Sequence, residues 1–343
     1  MGIEKENLRG KKVLVIKLYS FGDIVQTTPA LRALKNSGAE VHFLCADRVR
    51  DIALLLDGAD RVHTFDPGKI AEFLRITAVL RREKFDIAVN FHRDRKSYIF
   101  TQMLGARRNS GFRWKQLGKS LDFSAEFNPA LHETERYLSV TDAAGAQRQR
   151  WHTRIKIPEA PEVKIDIPDT AVNIGLFPGG GVNPGTVMFT KRWPVENFIE
   201  LGKIISARGA GVFVFGGEMD RVNVEKTAGA VPGAVEVITG MADFVHYVSK
   251  MSCFAGPDTG PLHIAAAAGV NTIGLFGPSS PDVFGARGGN SVNITADESC
   301  PPCYEPESVH KKEFLKCTDN ICMKKIKVSK VLEEIKKMLG ERF

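Results

Sequence analysis

In the first half of the chain, short β-branched apolar runs alternate with longer stretches whose apolar positions recur at helical spacing. Residues 13–17, 41–45, 61–65 and 86–91 read as strands, with a weaker one at 108–112, while 24–36 and 69–82 read as helices. Such alternation marks βαβ units and a parallel sheet. Residues 157–170 carry Pro158, Pro161 and Pro168 and little periodicity, as a linker does. The pattern then restarts, with strands predicted at 172–177, 211–215, 235–238, 253–255 and 272–276 and helices at 194–208, 242–251 and 261–268. The expected fold is α/β, with two doubly wound, Rossmann-like domains at residues 1–160 and 171–327. Chains of this kind bind their ligand in a cleft between the halves, near the carboxyl ends of the strands. A closing segment, 328–343, contains an amphipathic stretch able to pack back on the N-terminal domain.

Composition narrows the class. With 343 residues, 43% hydrophobic and 25% charged, the chain has apolar content for two cores and is not expected to be disordered. Its first twelve residues are polar, so no signal peptide is expected, and no run approaches the roughly 18 apolar residues that cross a bilayer. A cytoplasmic protein follows, free or peripheral on the inner face of the inner membrane. The net charge of +7 favours anionic partners such as phosphates, acidic sugars or anionic lipids; without aromatics interleaved in a basic stripe, nucleic acid is not among them.

Several strand-to-helix turns carry candidate chemistry. In Tyr19-Ser20-Phe21-Gly22-Asp23 the carboxylate either takes a proton from an attacking hydroxyl or caps the following helix. The glycine-rich segment from Phe177 through Gly180 to Gly185 leads to Lys191 and Arg192 just before a helix, a pattern suited to a diphosphate or to a solvated loop. It is neither a Walker A loop nor G-x-G-x-x-G. Asp258-Thr259-Gly260 opens another helix, where capping side chains and free amides meet phosphate or sugar hydroxyls; His263, one turn further, reads as a satisfied structural residue as readily as a catalytic one. After residue 215, Glu218 and Asp220 are alternative acceptors for ribose hydroxyls. His92, Arg93 and Arg95 end a buried strand and offer an anionic acceptor a pairing site, or form a solvated charged turn. Cys45 and Cys253 lie in apolar segments as buried thiols. Cys300, Cys303, Cys317 and Cys322 form two close pairs, spaced either for a structural zinc site or as ordinary reduced thiols.

Three landmarks together, Ser20-x-Gly22-Asp23, Lys191-Arg192-Trp193-Pro194 and Asp258-Thr259-Gly260-x-x-His263, resemble those of glycosyltransferase family 9, the ADP-heptose:lipopolysaccharide heptosyltransferases. The resemblance spans nearly the whole chain. It implies a GT-B fold and inverting transfer of heptose from an ADP-sugar to the lipopolysaccharide inner core. By position it implies Asp23 as general base, Lys191 as the cation facing the donor phosphates, Asp258-Thr259-Gly260 as the donor-site turn, and acceptor contacts near Ser20 and Gly22. No cofactor is required on this reading: no Asp-x-Asp pair occurs, so cations and helix ends would stabilise the departing diphosphate instead of a bridging metal. The rival readings are a nucleotide-sugar epimerase, a non-catalytic nucleotide-sugar-binding module, and a nucleic-acid or zinc-dependent interaction protein.

Overall fold

Val13, Leu14, Val15 and Ile16 are all fully buried in β1 (Lys12–Ile16), because a central strand of a parallel sheet is covered on both faces. The computed structural model describes residues 6–114, 120–148, 152–159, 161, 163–168, 172–180, 182–183, 186–297, 300, 302–304 and 317–343. The chain divides into two units, Met1–Lys156 and Ile157–Phe343.

In the first unit, β1 is joined by β2 (Glu40–Ala46), β3 (Arg61–Phe65), β4 (Ile87–Asn90), β5 (Arg108–Phe112) and β6 (Phe123–Ala125). All pair in parallel in the order β3-β2-β1-β4-β5-β6, so the winding direction reverses between β1 and β4. The predicted helix after β1 is two helices, α1 (Phe21–Gln26) and α2 (Thr28–Asn36). The break has a local cause: Thr27 and Thr28 turn their hydroxyls back onto the carbonyls of Ile24 and Val25, at 2.6 and 2.8 Å, and Pro29 has no N–H to continue the ladder. The short α3 (Arg50–Ala53) follows β2, and α4 (Ile70–Glu83), α5 (Arg95–Met103) and α6 (Glu133–Ala143) complete the unit.

The second unit repeats the plan. Its strands β7 (Asn173–Leu176), β10 (Gly211–Gly216), β11 (Val235–Ile238), β12 (Cys253–Pro257), β13 (Asn271–Leu275) and β14 (Ser291–Ile294) form a parallel sheet in the order β11-β10-β7-β12-β13-β14, and β8 (Val182–Asn183) and β9 (Thr186–Val187) make a separate hairpin. Between them run α7 (Val195–Ser206), α8 (Arg221–Ala230), α9 (Met241–Val248), α10 (Gly260–Ala267) and α11 (Pro281–Phe284). The proline-containing segment after Lys156 is fastened to this unit: the amides of Val163 and Ile165 donate to the Asp243 carboxylate and the Tyr247 hydroxyl on α9, at 3.0 and 2.7 Å.

The closing helix, Val328–Leu339, was read as able to return to the N-terminal domain. Its buried stripe of Val328, Val331, Ile335 and Leu339 belongs to the core built by Ile174, Leu176, Phe198 and Leu201 in the second unit. Residues one turn apart on a single face need one apolar partner surface, and this core supplies it. Among the described residues no helix is long and apolar enough to cross a membrane.

Candidate functional site

Each sheet places a lysine–aspartate pair at its switch point. In the first unit Lys17 follows the last residue of β1 and is buried, yet its ammonium reaches Asp23 in the first turn of α1 at 2.9 Å. The Asp23 side chain is 42% exposed, so one end of the carboxylate is anchored while the other is open to a ligand. Asp23 thus turns toward the sheet's carboxyl edge. The residue before α1, Ser20, is held at φ +72°, a left-handed conformation uncommon outside glycine that turns the chain sharply out of the strand.

Two neighbours complete this end of the sheet. His92, just beyond β4, accepts the Leu18 amide on Nε2 at 2.8 Å, which ties the ends of β1 and β4 together. Burial, reinforced by the charge on Lys17, pulls its imidazole pKa down to about 3, so the ring is neutral and serves as an acceptor instead of a cation for an anionic ligand. From α6, the Tyr137 ring lies under Lys17 with its centroid 5.3 Å from Nζ, and its hydroxyl donates to Glu133, which also pairs with Arg136 at 2.8 Å. Burial works against the Lys17 charge, but Asp23 and Glu133 outweigh it, and the pKa stands above its usual value.

The other acceptor candidates take different places. The Arg93 guanidinium stacks on Phe127, 3.5 Å from the ring centroid, and Arg95 is an exposed first residue of α5, whose cap is Asp94. Gly22 is buried inside α1. A cavity of about 930 Å³ opens elsewhere on the same edge, beyond β1, β2 and β3, lined in part by Tyr19, Asp47, Arg48, Asp66, Lys69 and Glu72. Arg48 covers the Tyr19 ring at 4.5 Å, and Lys69 pairs with Asp66 at 3.3 Å. An aromatic wall with charges of both signs suits a polyhydroxylated ligand. The sequence reading overlooked these cations, although both follow strand ends.

In the second unit Lys191 and Asp258 are both buried and lie 2.6 Å apart. Asp258 opens the turn after β12, and it also accepts from Ser279 at 2.6 Å and faces His263 Nε2 at 3.2 Å. Burial alone would raise its pKa; Lys191 and His263 overcome that and hold the carboxyl well below the usual range. His263 is therefore satisfied by a charge partner on its own side of the turn. Tyr304 covers the Lys191 ammonium, 4.0 Å from its ring centroid. Neither Ser279, in the loop after β13, nor Tyr304 was singled out from the sequence.

The glycine-rich turn is braced rather than loose. Gly180 stands at φ +101°, and a Cβ there would lie 2.4 Å from the Thr259 methyl, so only glycine lets the turns after β7 and β12 meet. Its amide donates to Asp220 at 2.9 Å and its carbonyl accepts from Arg192 Nε at 2.8 Å. Asp220 also accepts the Gly217 amide, at 3.3 Å, whereas Glu218 is exposed and paired with Arg221 at 2.7 Å. Thr259 is the N-cap residue of α10 by backbone geometry only; its hydroxyl donates to the Pro257 carbonyl, and Gly260 begins the helix. Trp193, beside Lys191, is a core residue whose indole donates to the Ile326 carbonyl at 3.0 Å.

Of the cysteines, Cys45 and Cys253 are buried, with thiols pushed by desolvation to about 12. Cys300, Cys303 and Cys317 are exposed and Cys322 is buried. Burial and then the neighbouring thiols raise the pKa of Cys303 and Cys322. Among the described residues no three His, Cys, Asp or Glu side chains gather closely enough to hold a metal ion, so the zinc reading finds no support.

Comparison with known proteins gives this arrangement its context. Residues 73–313 match the family model described as glycosyltransferase family 9 (heptosyltransferase). Lipopolysaccharide heptosyltransferase 1 of Pseudomonas aeruginosa is 24% identical over 96% of this chain and 98% of its own length. A glycosyltransferase family 9 structure from Veillonella parvula superposes with a TM-score of 0.84 at 19% identity, over 98% of this chain and all of the other (100%). The ADP-heptose lipopolysaccharide heptosyltransferase II of Escherichia coli superposes with a TM-score of 0.74 at 20% identity, over 96% of this chain and 98% of that one. The tandem doubly wound units are therefore of GT-B type, and among the activities weighed from the sequence the family match selects glycosyl transfer. The chain belongs to glycosyltransferase family 9, the heptosyltransferases of lipopolysaccharide core assembly.

Proposed function

We propose that this protein transfers heptose from ADP-heptose to the lipopolysaccharide inner core with inversion at the anomeric carbon, Asp23 acting as general base. The observation that carries the reading is the half-open carboxylate of Asp23, anchored on one side and accessible on the other, at the switch point of the first sheet. An acceptor hydroxyl gives its proton to Asp23 as its oxygen attacks the anomeric carbon. The bond from that carbon to the diphosphate breaks on the opposite face, and the electron pair leaves with ADP.

The second unit supplies the donor side. Lys191 spends one N–H on Asp258 and has further donors for phosphate oxygens, as an ammonium carries three. Arg192 uses Nε on the Gly180 carbonyl, leaving its terminal nitrogens to the diphosphate. The amino-terminal end of α10 at Thr259 and Gly260 adds the positive pole of a helix. Gly180 contributes shape, since its amide already serves Asp220. Asp220 is likewise committed to the turn, which leaves Glu218 as the carboxylate for the donor ribose. Because the acceptor is a lipid-linked glycan, the enzyme works on the cytoplasmic face in peripheral contact with the inner membrane. The cavity beside Tyr19 takes hydroxyls of the acceptor glycan.

Transfer from ADP-heptose, assayed alongside ADP binding, tests the assignment. Asp23→Ala lowers turnover by about 10²- to 10⁴-fold with ADP affinity intact, whereas Lys191→Ala weakens both. Parallel loss of ADP binding and turnover in the Asp23 variant would show that the residue is structural.

A further inference from the structure

The helices α4 and α5 lie side by side on the first sheet, and both carry apolar side chains outward as well as inward. On the inner side Phe73 and Phe100 meet with ring centroids 4.8 Å apart and pack with Phe65, Ile76, Leu80 and Leu104. On the outer side Ile70 and Leu74 of α4 are 80% and 58% exposed, and Ile99 and Met103 of α5 are exposed too. Each pair is four residues apart and so shares a helix face. The Arg81 guanidinium donates to the Met103 carbonyl at 2.9 Å, which ties the end of α4 to the end of α5. The surround is basic: residues 69–107 carry nine Lys and Arg against four Asp and Glu, a net +5 in a chain whose total is +7. Glu72 is engaged by Arg75 at 2.7 Å and Asp94 caps α5, whereas Arg82, Arg95 and Lys96 are exposed and form no ion pair among the described residues. Lys69 and Glu72 line the cavity beside Tyr19, so the apolar stripe that Ile70 begins starts at its rim.

We propose that the outer face of α4 and α5 docks this protein on an anionic phospholipid bilayer, with Ile70, Leu74, Ile99 and Met103 entering the headgroup region and the surrounding cations pairing with lipid phosphates. The inference rests on the reading above that the acceptor is lipid-linked and met at the membrane. Charge selects the occupant. A second copy of this chain would set one basic face against another, and a neutral surface would leave Arg82, Arg95 and Lys96 without counter-ions. An anionic bilayer offers apolar depth and phosphate together. With fourteen residues and one side packed on the sheet, α4 lies along the surface and only its outer side chains enter. Docked in this way, the unit holds the cavity that takes acceptor hydroxyls beside the membrane in which the acceptor is rooted.

The test is sedimentation of the intact chain with vesicles of phosphatidylglycerol and phosphatidylethanolamine, or of phosphatidylcholine alone, beside transfer from ADP-heptose to a delipidated core saccharide. The wild type binds the anionic vesicles, releases them as salt rises, and ignores the neutral ones. Ile70→Ser with Leu74→Ser lowers vesicle binding about tenfold or more, and Arg82→Glu with Lys96→Glu lowers it by about tenfold or more as well. Both variants keep the wild-type melting temperature, ADP affinity and transfer to the soluble saccharide. Val163→Ser, at an exposed apolar residue of the second unit, leaves vesicle binding unchanged. If the wild type fails to bind anionic vesicles, the membrane contact itself is lost, while transfer to the soluble saccharide keeps the enzymatic reading. If both double variants bind as the wild type does, the contact lies on another face and only this proposal fails. A concentration-dependent dimer that the Ile70 and Leu74 changes abolish, with vesicle binding intact, makes the face an interface between copies and overturns the proposal.

Discussion

The two lysine–aspartate pairs lie at the carboxyl edges of their sheets, Asp23 after β1 and Asp258 after β12, and they differ in how much of the carboxylate is left over. Asp23 meets Lys17 and is 42% exposed; Asp258 meets Lys191, Ser279 and His263 and is 7% exposed. A carboxylate with several buried donors is a fixed anion, held well below its ordinary pKa, and makes a poor proton acceptor. One with a single buried donor and an open oxygen can exchange a proton with a ligand. In the proposed mechanism the aspartate of one pair serves as chemistry and that of the other as framework, and the number of hydrogen-bond donors decides which.

The contrast is broken most severely at Asp258. Asp258→Ala leaves Lys191 buried without its partner and should cost about 3–5 kcal/mol in denaturant unfolding. Asp23→Ala, at a half-exposed pair, should cost about 1 kcal/mol or less. Adding Lys191→Met to Asp258→Ala should recover part of the loss. Equal destabilisation by the two alanine variants would mean that the pairs are not different in kind.

Acid distinguishes the units next. In the first, His92 and His63 have pKa values pulled by burial from 6.5 to about 3 and about 4. Below pH 6.5 the unfolded chain binds protons that the folded unit refuses, so stability falls with pH until the native imidazoles also protonate. Asp258 works in a lower window: its depressed pKa stabilises the second unit above the ordinary carboxyl value of 3.8, and that contribution is lost only as pH falls below it. Hydrogen exchange at pH 7 and 5, corrected for intrinsic rates, should therefore show protection declining first in β1, β2 and β4. Earlier loss in β7 and β12 would contradict this order.

The smallest effects separate the two acidic residues after β10. Asp220→Ala leaves the Gly180 and Gly217 amides without an acceptor and should cost about 1–3 kcal/mol. Glu218→Ala, on the surface, should change stability by no more than about 0.5 kcal/mol while weakening ADP binding about tenfold. Unchanged ADP affinity would remove Glu218 from the donor site.

The alternating strands and helices around both switch points were legible in the sequence because their apolar runs are long and clearly bounded. The helices α5, α6 and α8 were not: α6 buries Thr134, Arg136 and Thr141 beside Tyr137 and Leu138, which blurs the helical period, and α8 has few apolar residues. β6, with three residues, is too short to announce itself. Among candidate site residues, Asp23, Lys191 and Asp258 stand at strand ends and helix starts, where local pattern exposes them. Lys17, Glu133, Tyr137, Ser279 and Tyr304 gain their meaning from partners distant in sequence, as when Lys17 meets α6 or Ser279 meets Asp258. No local pattern carries that information. The Glu218–Asp220 ambiguity had the same origin, since only the fold shows which carboxylate braces the glycine turn.

The bond from Trp193 to the Ile326 carbonyl, with the Asn320 side chain donating to the Arg192 carbonyl at 2.7 Å, joins segments more than a hundred residues apart. The stretch bearing Lys191 thus emerges from the ribosome long before the chain that steadies it. The second unit must wait, its indole without that acceptor, until Ile326 has been synthesised. Translation completes the unit Met1–Lys156 first and leaves Ile157–Phe343 to mature late.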